Sequence, residues 1–410
     1  MLKRFVSAVL CVMMALTTTV VYYSGSESYS VEAAVDYETP YYYNQLSANG
    51  KKFYKTLKAA ILKCQSEFKM DDMDMDDEDI QKIVELLILH DPTTFNLSDL
   101  GGYATTDRRS KKSVLTFELD YTYNKATYNK MVEAYEKKTD DILAKLTDDM
   151  STYKKIRTIH DEIIKNTVYD LESPTNATVY GTLVKKKAKC DGYAKTFSYI
   201  CSKAGIRTVT VIGNASRDGS TEKHMWNKVY YNKKWYNVDV TWDDPVSNLK
   251  NNMTHDYFMI SDGAIKKSHT EDNLSFEVPK ASDNSISYYK VNNKYADSLD
   301  SAKSLISSGI TSAAKNNNTY YEFQCSSKSV YNQVRKYVDG TGNITNVLKT
   351  AKKNSGKKLA TGIYSSAYND DQYTIRIMIF YEGTTLDKYY NDTSELDSNT
   401  IKAFAKYGVK

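Results

Sequence analysis

The sequence predicts an α+β protein of two or three domains, and three observations carry that expectation. Between Tyr180 and Pro245 one helical pattern is followed by strand-like runs joined by a tight turn, which is the signature of a helix beside an antiparallel sheet. Upstream of that block helical periodicity dominates, and downstream helices and strands are mixed. At 410 residues with 41% hydrophobic content, the chain can fill more than one core.

Taken in order, Met1-Leu-Lys-Arg gives a basic start, Phe5 to Tyr22 is apolar, and Val31-Glu-Ala33-Ala34 supplies small residues for cleavage. This predicts a secretory signal peptide over residues 1–34. A retained anchor fits less well, because Thr17-Thr-Thr dilutes the apolar run and leaves it short of a full span. The mature protein is therefore expected to be secreted or at the cell surface, with no transmembrane segment after cleavage. Lys+Arg 55 nearly balances Asp+Glu 51, without a concentrated basic stripe, so nucleic acid is not an expected partner. Cys11 would leave with the signal, and the four cysteines that remain are too few for a disulfide scaffold in so large an exported chain. The composition leaves open whether Cys64 and Cys325 pair.

Residues 35–150 read as a mainly helical accessory region. Phe53, Leu57, Ala60, Ile61 and Cys64 have helical spacing, as do Ile80, Ile83, Val84, Leu86, Leu87 and Ile88. Ser113–Tyr123 alternates like a strand, and Tyr128 to Leu146 returns to helix. The acidic run Asp71–Asp79 loosely resembles a calcium loop through Asp74, Asp76, Glu78 and Glu85. Asp79 stands where such a loop needs Gly, so the run reads as a solvated turn entering an acid-rich helix N-terminus. Five histidines (His90, His160, His224, His255 and His269) show no close zinc-type spacing, and neither HExxH, CxxC nor a glycine-rich phosphate loop occurs. No metal or nucleotide cofactor is expected.

The block over residues 151–278 carries the chemistry. Tyr153 to Tyr169 predicts an amphipathic helix, with Ile156, Ile159, Ile163 and Ile164 on one side and His160 beside them as a packing or surface residue. From Asp191 to Ala204 the apolar residues Tyr193, Ala194, Phe197, Ile200 and Cys201 recur at three- and four-residue steps, and Gly205 supplies the stop. Cys190 stands at the first turn of this helix, where free N–H groups and the dipole favour an anion. The same N–H groups are placed to hold the oxyanion of a tetrahedral intermediate. Lys185-Lys-Lys adds local positive potential, although such a run is more often a solvated loop. Cys201, about three turns or ~16 Å further along, is too far for a disulfide with Cys190 and reads as a small buried hydrophobe.

Three strand-like runs follow: Arg207–Ile212, His224–Tyr231 and Lys234–Thr241. Asn232-Lys233 reads as a two-residue hairpin turn. In that register Tyr231 faces Lys234, so Trp226 faces Asp239 and His224 faces Thr241. His224 and Asp239 are then diagonal neighbours on one face, whereas a one-residue slip would part them. Cys, His and Asp in this order suit acyl chemistry: a thiol attacks as thiolate, its base must sit beside it, and a carboxylate must fix the base's tautomer.

The block resembles a bacterial transglutaminase-like domain of the papain-related superfamily. The matching residues are Cys190-Asp-Gly-Tyr-Ala, His224-Met-Trp-Asn-Lys-Val and Trp235-Tyr-Asn-Val-Asp239-Val-Thr-Trp-Asp-Asp-Pro245. Tyr257-Phe-Met-Ile-Ser-Asp and His269-Thr resemble the segment that closes such domains. Met225 departs from the Ala often found there and removes no catalytic group. The resemblance implies a papain/transglutaminase-like core, with Cys190 as nucleophile, His224 as general base and acid, and Asp239 as the orienting carboxylate. It covers roughly residues 150–275. Trp226, Trp235 and Trp242 read as core and site walls. An upstream oxyanion donor is usual in such sites; Tyr180 is a candidate, but a packed aromatic is the default reading.

Lys280–Ser285 has linker composition, and residues 285–410 predict a small α+β module. Its helices are expected near 298–315, 330–338 and 344–353, and its strands near 319–325, 359–367 and 373–381. Ile375, Ile377 and Ile379 alternate with Arg376 and Met378 as in a half-buried strand. The module supplies no chemistry of its own, and position alone suggests a binding or wall-contact role. The function expected is a secreted cysteine enzyme acting on protein or peptide amides through a thioester, either cross-linking or hydrolysing as protease or deamidase. The contrasting expectation is a non-catalytic surface scaffold that keeps the fold.

Overall fold

The computed structural model describes residues 40–410 except 72–74, 76, 107–112, 218, 251 and 273–274. The expected signal peptide, with Asp74 and Asp76 of the acidic run, lies outside the described residues. The chain divides into two compact units. The first holds the described residues up to Thr241 together with His269–Ser282, and the second holds Trp242–Ser268 with Asp283–Lys410. The expected boundary at residue 150 is therefore not a boundary between these units.

After a single helical turn at Pro40–Tyr43, the first unit holds helix α1 (Ala48–Lys63), strand β1 (Glu67–Asp71), helix α2 (Asp77–Glu85), strands β2 (Leu97–Thr106) and β3 (Ser113–Tyr121), and helix α3 (Lys125–Leu143). Ser47 caps α1 by accepting the Gly50 N–H, and the helix buries Phe53, Leu57 and Ile61. β3 lies between β1 and β2 in an antiparallel sheet, where Phe68 and Phe117 stack with centroids 4.9 Å apart, and Phe53 packs against Phe117 at 4.9 Å. Two of these strands carry little alternation in the sequence, β2 because Gly101-Gly and Asp99 interrupt it.

Helix α4 (Thr152–Asn166) buries Ile156, Ile159, Ile163 and Ile164 as expected, and His160 is buried with them, its Nδ1 2.9 Å from Asp161 Oδ1. It ends three residues before the predicted stop, because Val168–Tyr169 turns extended and pairs in parallel with Lys187–Ala188. Helix α5 (Cys190–Lys203) is followed by Gly205 at φ +72°, the left-handed stop that glycine allows. Strands β4 (Thr208–Arg217), β5 (Ser220–Tyr231), β6 (Lys234–Val238) and β7 (His269–Glu271) complete the unit, with sheet order β7-β4-β5-β6 and antiparallel pairing between β7, β4, β5 and β6 in turn.

Helix α5 is held from two sides. Asn227 Nδ2 of β5 donates to the Ala194 carbonyl at 3.0 Å, and Ser198 shares a 2.8 Å bond with Thr208 of β4. From the other side Tyr199 donates to Glu136 of α3 at 2.5 Å, and Lys195 donates to the Ile88 carbonyl at 3.2 Å. Tyr42 adds a bond to the Thr210 carbonyl at 2.8 Å. These polar ties join the N-terminal elements, α5 and the sheet within the one unit.

In the second unit α6 (Leu299–Lys315), β8 (Tyr320–Cys325), α7 (Lys328–Asp339), α8 (Asn343–Ser355), β9 (Leu359–Asn369), β10 (Thr374–Tyr381) and α9 (Ser398–Lys406) surround one apolar core. β10 is central between β8 and β9 and is buried along its whole length, which corrects the half-buried expectation. Arg376 is tolerated there because its guanidinium meets Glu322 at 2.6 Å and the carbonyls of Asn252 and Met253 at 3.0 and 2.7 Å.

Buried Asp256 of this unit accepts from Tyr289 at 2.6 Å, Asn369 at 2.7 Å and Thr374 at 3.0 Å. Burial, reinforced by the neighbouring Asp243 charge, nevertheless pushes its carboxyl up to about 6. The native state thus keeps a proton that the unfolded chain gives up near pH 3.8, so stability falls as pH rises from about 3.8 to about 6. Denaturant titrations should show wild type losing up to about 3 kcal/mol relative to Asp256→Asn across that window. Parallel pH curves for the two proteins would contradict this assignment.

Candidate active site

The hairpin sets the geometry. Asn232 and Lys233 both have positive φ, 47° and 63°, as a type I′ turn requires, and the pairs Tyr231–Lys234, Tyr230–Trp235 and Val229–Tyr236 follow in the predicted register. Pairing runs to Asn227–Val238 and there β6 ends, one residue before Asp239. Freed from the ladder, Asp239 turns its carboxylate diagonally to β5, and Oδ2 lies 2.7 Å from His224 Nε2. The Thr241 N–H donates to Oδ1 at 3.0 Å, and His269 Nε2 meets the same Oδ2 at 2.9 Å. Asp239, His224 and His269 are all buried.

Electrostatics follow from that burial. Burial alone would push the Asp239 carboxyl up, but His224 and then His269 overcome it and hold Asp239 well below the usual carboxylate range. Burial would likewise lower His224. The charge and hydrogen bond of Asp239, joined by a hydrogen bond to Cys190, outweigh it and raise the imidazole well above its ordinary value. Since Asp239 takes Nε2, the ring nitrogen left for the thiol is Nδ1.

Cys190 is half-buried and opens α5. Its cap residue, Lys189, contributes no side-chain bond to the helix, and the first i to i−4 bond runs from the Tyr193 N–H to the Lys189 carbonyl at 3.1 Å. The thiol also points at Asp191 Oδ1 at 3.3 Å, while Asp191 Oδ2 sits 3.5 Å from Lys189 Nζ. Gly192 is required by close approach: a Cβ there would lie 2.2 Å from the Asn176 carbonyl oxygen and 2.9 Å from Ala188 Cβ. The Lys189 N–H bonds that same carbonyl at 3.0 Å, so the 170–181 loop is clamped against the start of the helix.

Several neighbours were less legible in the sequence. Tyr169, assigned to the end of a helix, instead lies within electrostatic range of Cys190, and burial followed by the Cys190 charge pushes its hydroxyl up to about 12. Tyr180 leads into the turn Gly181–Lys185 with the Lys185 ammonium 5.6 Å from its ring centre. Lys187 of the basic run pairs with Asp170 at 3.0 Å. Trp226 packs beside both histidines, its ring centre 6.1 Å from His224 and 5.2 Å from His269, and donates to Asn237 at 3.1 Å. Cys64, Cys190, Cys201 and Cys325 are free thiols; burial pushes Cys201 far up and Cys325 up to about 12.

Residues 136–240 match the family described as the Transglutaminase-like superfamily. The chain carries a transglutaminase-like domain. The matched range opens inside α3 and closes on the residue after Asp239. Over 153 residues the chain is 29% identical to kyphoscoliosis peptidase of Mus musculus, covering 32% of this chain and 22% of that protein. Over 108 residues it is 32% identical to kyphoscoliosis peptidase of Homo sapiens, covering 23% and 16%. The chain thus spans less than a quarter of the length of these curated relatives. A solved structure described as a TGase overlaps 35% of this chain and 44% of its own at 17% identity, with a TM-score of 0.25.

The transglutaminase-like domain should be intolerant of bulk at the start of α5. Gly192→Ala is expected to cost about 1–3 kcal/mol in denaturant unfolding and to slow Cys190 alkylation in the native protein. Unchanged stability and labelling would show that the loop at Asn176 yields freely.

Proposed function

We propose that this chain is a cysteine acyl-transfer enzyme acting on protein or peptide amides, with Cys190, His224 and Asp239 as its triad. The observation that carries the reading is the buried 2.7 Å bond between Asp239 Oδ2 and His224 Nε2, which leaves the other imidazole nitrogen to Cys190 at a helix N-terminus with no capping side chain. In the attacking state His224 is imidazolium and Cys190 is thiolate. The sulfur adds to the amide carbonyl, and the oxyanion that forms is held by N–H groups of the first turn of α5. As the C–N bond breaks, His224 gives its proton to the departing nitrogen and a thioester remains. Neutral His224 then takes a proton from the incoming acceptor, an amine in cross-linking or water in hydrolysis, and the acyl group leaves sulfur. Asp239 keeps the imidazole in the tautomer both halves require.

Cys190 is partly exposed, so the thiol is open to substrate. The basic start and the apolar Phe5–Tyr22 stretch support export, so an extracellular or surface-bound protein is the substrate we favour. No helix among the described residues is long and apolar enough to cross a membrane.

Wild type and Cys190→Ala should be compared for iodoacetamide labelling across pH, uptake of a fluorescent primary amine into a glutamine-bearing protein mixture, and ammonia release. Labelling confined to Cys190 and fast below the free-thiol pKa of about 8.5, with amine uptake, is the expected result for a transferase. Ammonia or peptide release without amine uptake would make the enzyme a hydrolase. Slow labelling and no turnover would turn the assignment to a binding scaffold. Asp239→Asn should retain the fold and lose about 10²–10⁴-fold in acylation rate, read from single-turnover thioester formation; a loss below tenfold would remove Asp239 from the triad.

A further inference from the structure

Asp239 serves two histidines, and the mechanism above uses only one. His269 stands on β7, two strands away from β5, opposite Ala215 of β4. Its ring must cross β4 to reach the carboxylate, on the face of β4 that carries Val211, Gly213 and Ala215. Gly213 pairs with His224 and Glu271; a Cβ on it would lie 2.0 Å from the Thr270 carbonyl oxygen and 2.9 Å from the Trp226 ring. Gly213 thus lets the Thr270 backbone of β7 and the Trp226 ring close on β4, and Trp226 packs edge-on against the His269 ring with centres 5.2 Å apart. Nε2 of His269 and Nε2 of His224 converge on one oxygen, Asp239 Oδ2, at 2.9 and 2.7 Å.

We propose that His269 is a positioning residue of the acyl-transfer site, its Nε2–H fixing the Asp239 carboxylate in the one orientation that presents it to His224. The inference rests on the proposed triad for its catalytic meaning. The physical need is plain: a fully buried carboxylate stays ionised only if its lone pairs are met by donors. Thr241 N–H meets Oδ1, but Oδ2 must bind a His224 that gains and loses a proton in each turnover. A second imidazole donor on Oδ2 holds the acceptor still through that change. Cys190 faces His224, and the carboxylates next along the chain from His269 are engaged elsewhere: Glu271 is paired with Lys228 at 2.6 Å and Asp272 with Lys223 at 3.1 Å.

The test compares full-length wild type with His269→Phe, which keeps a ring without a donor, and His269→Gln, whose amide N–H reaches the Nε2 position. Histidine-labelled ¹⁵N NMR follows the titration of His224, and iodoacetamide labelling of Cys190 is followed over the same pH range. Loss of the donor should lower the His224 titration by about one pH unit and move the alkaline limb of labelling with it, while His269→Gln recovers at least half of the shift. A wild-type titration in His269→Phe would overturn the proposal. So would His269→Gln and His269→Phe behaving alike, since a purely packing role is blind to the donor. The NMR arm does not need turnover. A shifted His224 titration in a protein that never labels fast would keep His269 in its role and discard the acyl-transfer reading instead.

Discussion

The buried carboxylate of Asp239 is the constraint from which the first unit can be understood. An ionised group at zero exposure must be met by donors, and here three come from separate places: Thr241 two residues on, His224 across one strand, and His269 across three. Their convergence demands a sheet of fixed register and close approach. The positive-φ turn at Asn232-Lys233 supplies the register, and the Cβ that Gly213 lacks lets the Thr270 backbone and the Trp226 ring close on β4. Helix α5 is then pinned to the same sheet through Asn227, which brings Cys190 to the histidine. Local turn chemistry, strand parity and a missing side chain all serve one oxygen atom.

The parts of this arrangement that are local in sequence could be read there. The α5 helix, its glycine stop and the hairpin register follow from spacing and from a two-residue turn, and the observed pairs Tyr231–Lys234 to Asn227–Val238 are the predicted ones. His269 as a partner of Asp239 was not legible. It lies 30 residues further on in a three-residue strand, too short for periodicity, and its approach depends on what Gly213 lacks. The sequence places Tyr169 in a helix because the run of isoleucines continues smoothly into Val168, and only the parallel pairing with Lys187–Ala188 extends the chain there.

The same contrast holds elsewhere. β1 and β2 show little alternation in the sequence because one is a five-residue edge strand and the other is interrupted by two glycines. β10 was legible as a strand but not as a central one. Arg376 argued for a wet face, and the Glu322 carboxylate and two loop carbonyls that neutralise it are contributed by residues 54 to 124 positions away. Burial of a charge is decided by partners, and partners of this kind leave no mark near the residue they satisfy.

The hairpin also decides where this domain can change length. One residue gained or lost within β5, between His224 and the turn, would invert the face on which the imidazole stands, and the same holds on the β6 side for the carboxylate. Extra residues placed between Asn232 and Lys233 would be absorbed as a longer loop without disturbing the ladder on either side. Drift in this lineage is thus tolerated at the tip and forbidden along its arms, so the 15-residue interval from His224 to Asp239 can grow only at its midpoint.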